Sequence, residues 1–242
     1  MNSLVLEGWV SVLAALQAAC RPLDALYVQQ GKEVRNLGMI ERLAAEQQVA
    51  LKFVATEEID GLVQGRSHGG IVALAGERRF APLAALAEAP GWVVMLDGVE
   101  DPYNYGQAIR ALYAAGASGL VAPLRNWDSA LNVVTRASAG ASEHMLTARA
   151  DVLEALAFFK AHGYRCLAAA KAPGSLPLHA ADLRGPLFLL IGGERRGLNA
   201  AALAQCDGLL SIPYGREFKA ELDVTSSTAA IAFEVLRQRS QK

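Results

Sequence analysis

From Leu187 to Ile191 the chain reads Leu-Phe-Leu-Leu-Ile, apolar at every position, and runs straight into Gly192-Gly193. A strand with one wet face alternates apolar and polar residues. A strand apolar on both faces needs a sheet covered on both sides, which is the arrangement of parallel α/β proteins. Trp92 to Leu96 is a second run of this kind, and shorter strands are expected at 119–122, 165–169 and 209–212, with helical stretches between them. The expected class is α/β, a parallel-sheet domain preceded by a small α/β domain.

The front part alternates in the same way. A helix is expected from Leu6 to Ala19, a strand at 26–28, a charged helix from Val34 to Gln47, a strand at 51–54, a short helix from Glu57 to Val63 and a strand at 71–75. Gly76 to Pro82 is charged and ends in proline, which makes it the best boundary, and Leu83 to Glu88 reads as a short helix. The expected domains are 1–76 and 91–242, joined by a linker at 77–90. A length of 242 residues suits one large or two small domains, and 52% hydrophobic residues suffice for a sizeable core. A net charge of −1 argues against a nonspecific DNA binder, though a local basic patch stays open. Cys20, Cys166 and Cys206 are isolated, with neither disulfide nor zinc spacing, so a reducing cytoplasm and no metal are expected. The first 20 residues lack the basic start of a secretory signal and carry Glu7, and no apolar run reaches membrane-span length.

Three segments carry chemistry. The first follows the strand at 92–96. Asp101-Pro102 signals a turn, Asn104 is an N-cap candidate for a helix from Tyr105 to Ala115, and Gly116 is its expected terminator. Asn104 and Arg110 therefore place an amide at the helix start and a guanidinium nearly two turns on, at the end of a strand where open α/β sheets bind ligands. Alone, they read as a cap and a solvated charge. The second segment, Gly192-Gly193-Glu194-Arg195-Arg196-Gly197-Leu198, lets backbone approach a ligand closely. It has neither the G-x-G-x-x-G spacing of a dinucleotide site nor the Gly-Lys-Ser/Thr of a P-loop. Alone, it reads as a tight turn. The third runs from Cys206-Asp207 through Ile212-Pro213 to Glu221-Leu222-Asp223-Val224-Thr225 and a helix that reaches Gln238. Pro213 leaves a donor-poor, carbonyl-rich edge suited to reading an amine.

Together these segments resemble the SpoU–TrmH family of RNA ribose methyltransferases, within the SPOUT class. The likeness rests on Asp101-Pro102, Asn104, Gly106 and Arg110; on Arg136 to Ala141; and on Gly192-Gly193-Glu194, Gly197-Leu198, Cys206-Asp207 and Ile212-Pro213. It covers about residues 91 to 240. In front, Glu7-Gly8 and His68-Gly69-Gly70 look like the ribosomal-protein-like substrate-binding module of many family members. The resemblance implies a deep trefoil knot, a homodimer with a site shared between chains, and an RNA substrate, ribosomal RNA ahead of tRNA. It implies S-adenosylmethionine (SAM) against Ala169-Ala170, Ile191 to Glu194, Ile212-Pro213 and Glu221-Leu222. It places Arg110 at the reacting ribose hydroxyl, with Asn104 and Glu194 holding that site. Arg66, His68, Arg136, Arg195 and Arg196 are the expected RNA contacts, although His68 alone reads equally as a structural histidine.

One motif departs from the family. Glu221 and Asp223 stand where the family reads Ser and Asn. A ribose hydroxyl needs a base or a stabilised alkoxide. Acids beside an arginine hold it charged and make it a worse base, whereas a buried carboxyl becomes a better one. Asp223 is therefore a candidate base, and the two acids also suit a sulfonium cation. The departure keeps open methylation of an RNA base, and a noncatalytic RNA-binding or ribosome-assembly protein. A dinucleotide-dependent enzyme is remote without the phosphate fingerprint.

Overall fold

A computed structural model describes residues 4–63, 68–88, 91–124, 130–195 and 197–240. In chain order the elements begin β1 (Leu4–Glu7), α1 (Trp9–Ala18), β2 (Leu23–Gln29), α2 (Leu37–Glu46), β3 (Ala50–Val54), α3 (Thr56–Leu62) and β4 (Ile71–Ala75). There follow α4 (Leu83–Leu86), β5 (Trp92–Asp97), α5 (Pro102–Ala114), β6 (Gly119–Ala122), α6 (Leu131–Ala137), α7 (Ala141–His144) and β7 (Thr147–Arg149). The chain closes with α8 (Val152–Ala161), β8 (Arg165–Ala169), β9 (Leu176–Pro177), β10 (Leu187–Gly192), α9 (Ala200–Gln205), β11 (Gly208–Ser211) and α10 (Val224–Ser240). Two compact units form: Met1–Arg79 with Asn126–His144, and Phe80–Arg125 with Met145–Lys242.

The first unit holds a four-stranded mixed sheet in the order β1-β4-β2-β3. The helix expected from Leu6 starts only at Trp9, because Gly8 sits at φ 82° and breaks the chain direction. Residues Leu4 to Glu7 instead pair antiparallel with β4, Leu4 opposite Ala75. Leu6, Val12, Leu16, Leu26, Ile40 and Ile71 form the core, and Leu131 of α6 joins it.

Two polar clusters tie α6 and α7 into this unit. The Asn132 amide donates to Glu7 Oε1 at 2.6 Å while its oxygen accepts the Glu7 N–H at 3.2 Å. Arg21 grips Glu143 with Nε at 2.8 Å and a terminal nitrogen at 3.2 Å, the two side chains only 3% and 1% exposed. Arg78 lies 3.7 Å from the same carboxylate. Burial alone would raise the Glu143 carboxyl, but the charge and hydrogen bonds of Arg21, helped by Arg78, outweigh it and hold the group below its ordinary value. Cys20 beside it is pushed up to about 11, first by burial and then by the Glu143 charge.

The second unit is a seven-stranded, wholly parallel sheet in the order β7-β6-β5-β10-β8-β11-β9. The two continuous apolar runs lie side by side near its centre, Trp92 opposite Leu187 and Asp97 opposite Gly192. All but their last residues are buried. Phe159 of α8 stacks on Phe188 at 4.4 Å between centroids. Asp207 fastens β11 to β8: its carboxylate accepts the Cys166 N–H at 2.7 Å, its own N–H donates to the Cys166 carbonyl, and Lys160 Nζ lies 2.9 Å away. Among the described residues, no helix is long and apolar enough to cross a membrane.

The cap of α5 differs from expectation. Asp101 is the N-cap, its carboxylate accepting the Asn104 N–H at 2.8 Å, with Pro102 in the first turn. Proline is preorganised for that first position, so the helix starts three residues earlier than the Asn104 cap implied. Gly116 follows the helix at φ 81°, as expected.

Candidate active site

Strands β5, β8, β10 and β11 end at one edge of the parallel sheet, and the three sequence segments are the loops that leave it. The Gly193 N–H donates to the Asp97 carbonyl at 2.7 Å, locking the turn after β10 to the turn after β5. A Cβ on Gly193 would lie 2.0 Å from the Gly98 carbonyl oxygen, so any side chain there forces the two turns apart. The Asp97 carboxyl beside them is raised above its ordinary value by burial and then by the Asp151 charge.

Glu194 joins all three segments. Its Oε1 accepts from the Asn104 side-chain amide at 3.2 Å and from the Val224 backbone N–H at 3.3 Å. Because Asp101 takes over the cap, the Asn104 amide is free to make this reach. Glu194 and Val224 form the wall between two cavities. The first, about 350 Å³, is lined by Ala169 and Ala170 at the end of β8, Ile191 to Glu194 at the end of β10, and Ile212, Glu221 and Leu222 beyond β11. The second, about 440 Å³, is lined by Gly98 to Pro102, Asn104, Glu194, Arg195 and Val224.

Of the residues assigned to SAM, Ala170, Ile191, Gly192, Gly193, Ile212, Glu221 and Leu222 all line the first cavity. Pro213 lines a separate hollow with Leu178, His179 and Phe233. Sequence reasoning missed Lys171 and Tyr214. Lys171 Nζ sits 5.3 Å over the Tyr214 ring, and the Tyr214 hydroxyl oxygen accepts the Leu222 N–H at 3.0 Å. The signal was present for Tyr214, which directly follows Ile212-Pro213. The cavity has an apolar lining from Ala169, Ile191, Leu198 and Leu210, backbone at Gly192, Gly193 and Gly197, and two carboxylates. Those groups fit a nucleoside joined to a sulfonium cation.

The other candidates are dispersed. Asp223 is exposed, and its carboxylate accepts from the Ser226 N–H at 2.6 Å and the Ser226 hydroxyl at 3.2 Å, an N-cap arrangement at the head of α10. Arg110 is exposed on α5 and lines neither cavity. Arg195 is exposed and pairs with Glu100 at 3.3 Å. Arg136 belongs to the first unit and lies 3.5 Å from Glu7. His68 is buried, its Nδ1 accepting the Gly70 N–H at 3.2 Å and its Nε2 lying 3.1 Å from Asp60, which makes it a brace for the turn before β4. Arg66 and Arg196 lie outside the described residues. No metal-binding cluster occurs among the described residues.

Comparison with known proteins agrees with this geometry. Residues 91–233 match the model of the SpoU rRNA methylase family, and residues 5–81 match the RNA 2′-O ribose methyltransferase substrate-binding domain. The chain is 29% identical to a 23S rRNA (guanosine-2′-O-)-methyltransferase RlmB of Pseudomonas putida, over 97% of this chain and 96% of that one. It is 30% identical to the RlmB of Xanthomonas axonopodis pv. citri, over 96% and 95%. Its fold matches an AdoMet-bound rRNA methyltransferase of Sinorhizobium meliloti with TM-score 0.82 at 24% identity, covering 98% of this chain and 87% of that one. An RNA 2′-O ribose methyltransferase structure matches with TM-score 0.75 at 27% identity, over 98% and 89%. The chain belongs to the SpoU rRNA methylase family, whose members are SAM-dependent RNA methyltransferases.

Proposed function

We propose that this protein transfers a methyl group to the 2′-hydroxyl of a guanosine ribose in 23S ribosomal RNA. The observation that carries the reading is the Glu194 bridge, which fixes Asn104 and the start of α10 at the rim of a cavity suited to SAM. SAM supplies the electrophilic methyl. The apolar lining of the first cavity would hold the adenosine, and Glu194 and Glu221 would favour the sulfonium charge. The second cavity, across the Glu194 wall, takes the nucleotide.

Arg110 is exposed on α5, and a homodimer is part of this proposal, with Arg110 reaching the partner's site to hold the ribose hydroxyl and the developing alkoxide. The large exposed side chains Tyr113 of α5 and Phe233 of α10 suit such an interface. The trefoil knot belongs to the same proposal. A soluble protein acting on ribosomal RNA in the cytoplasm follows from it. The front unit, matched by a substrate-binding model, is assigned to the RNA.

Micromolar SAM binding is expected, about −8 kcal/mol, with neither NAD nor ATP competing. Gly193→Ala is expected to weaken it at least about tenfold, because the new methyl pushes the Gly98 turn away. Calorimetry reads both. Tight NAD binding without SAM binding would remove the reading.

Asp223 is assigned as the cap of α10 and not as the base. Asparagine caps as well as aspartate. Asp223→Asn is therefore expected to keep the melting temperature and leave single-turnover methylation within about threefold, or faster if the acid had been restraining Arg110. A loss of about a hundredfold would make Asp223 the base.

A further inference from the structure

The second cavity shares Glu194 and Val224 with the cofactor cavity, yet it is lined by a different set of groups. Val99, Pro102 and Val224 give it apolar walls suited to the faces of a planar ring. Its polar groups are mostly acceptors. Two of its three carboxylates already hold the site together: Asp101 accepts the Asn104 N–H, and Glu194 accepts from Asn104 and Val224. Glu100 remains. Its partner is Arg195, whose side chain is 81% exposed. An ion pair so open to water contributes little and can be exchanged readily for another partner.

A carboxylate that presents both its oxygens is selective among bases. Guanine carries two adjacent N–H donors, at N1 and N2, on its Watson–Crick edge. Adenine and cytosine set one amino donor beside a ring acceptor, and the single ring N–H of uracil lies between two carbonyls. Proteins that recognise unpaired RNA bases hydrogen-bond them on their Watson–Crick and Hoogsteen edges. We infer that the second cavity holds the target base and that Glu100 selects guanine, one oxygen accepting from N1–H and the other from the N2 amino group. Arg195, released from Glu100, is then free to meet a neighbouring phosphate. Glu100 is in this account a specificity-determining residue that takes no part in the methyl transfer. The inference rests on the ribose 2′-O-methylation reading above and adds the group that chooses the base.

The test begins with the nucleotide that the protein methylates in unmodified 23S rRNA. Synthetic hairpins around it carry guanosine, inosine (no N2 amino group) or 2-aminopurine riboside (no N1–H) at that one position. For the wild type, kcat/KM is expected to fall at least about tenfold for either analogue, because one Glu100 oxygen, covered once the base is seated, is then left without its donor. For Glu100→Gln, the guanosine rate should fall by a similar factor and the guanosine-to-inosine ratio should drop below about threefold. Calorimetric SAM affinity should stay unchanged, which separates base reading from damage to the fold. Wild-type protein that methylates the inosine hairpin as fast as the guanosine one would overturn the assignment. So would a Glu100→Gln variant that discriminates as well as the wild type, or a mapped target other than guanosine; these leave ribose methylation standing. A protein that methylates no ribose in 23S rRNA removes the functional reading, and the assignment with it.

Discussion

Glu194→Ala is expected to lower the single-turnover methylation rate by about two to three orders of magnitude, the scale on which loss of one preorganised polar group acts in an active site. The carboxylate is the common acceptor for the Asn104 amide and the Val224 N–H. Without it the amide swings free and the loop from Glu221 to Asp223 loses its anchor beside both cavities. SAM affinity should fall far less, because most of the first cavity is apolar lining and backbone that the substitution leaves in place. Glu194→Gln keeps an oxygen that can accept from both donors but loses the charge, and its rate should fall between those of Glu194→Ala and the wild type. Rates within about threefold of wild type for Glu194→Ala would contradict the role given to the bridge.

The second large effect is on stability. Glu143→Ala leaves the Arg21 guanidinium buried without its carboxylate, although Arg21 still donates to the Gly76 carbonyl at 3.1 Å. Breaking a buried pair from one side costs about 3–5 kcal/mol. The first unit should therefore unfold at markedly lower urea than in the wild type. Replacing both partners by apolar residues of similar size should recover much of the loss, since the stranded charge is what costs. The pH dependence has a definite sign. The folded Glu143 carboxyl lies below its ordinary value of 4.5, so its contribution is present above that pH and is lost as pH falls through the folded value. Acid should destabilise the wild type more than Glu143→Ala in that range. Superimposable urea curves at neutral pH for the two proteins would count against the pair.

The central sheet was legible because its chemistry is local. Five consecutive apolar residues at 92–96 and again at 187–191 leave few options, and the structure sets the two runs side by side. The start of α1 was misplaced because Val5, Trp9, Val12, Leu13 and Leu16 fit one helical stripe. Only the Gly8 backbone angle and the partner strand β4 separate strand from helix there. The N-cap of α5 was placed three residues late because Asp101 and Asn104 are both good caps, and Pro102 decides between them. The Arg21–Glu143 pair was not legible: the two residues are 122 positions apart, and neither carries a local signal of burial. In the site, Ala170, Ile191, Gly192 and Ile212 come together on one cavity because parallel strand ends align. Arg110 was read as part of the same centre, yet it is exposed on α5 and lines neither cavity of its own chain.

The most direct measurement is transfer of labelled methyl from SAM to 23S rRNA from cells that lack this protein. The methylated nucleotide is then located by alkaline hydrolysis and mass spectrometry. A 2′-O-methyl group removes the hydroxyl that alkali needs to cleave the neighbouring phosphodiester. The account predicts one labelled, alkali-resistant dinucleotide with guanosine on its 5′ side, and none with Glu194→Ala. Label on a base within an alkali-labile nucleotide, or no incorporation into 23S rRNA, would contradict it.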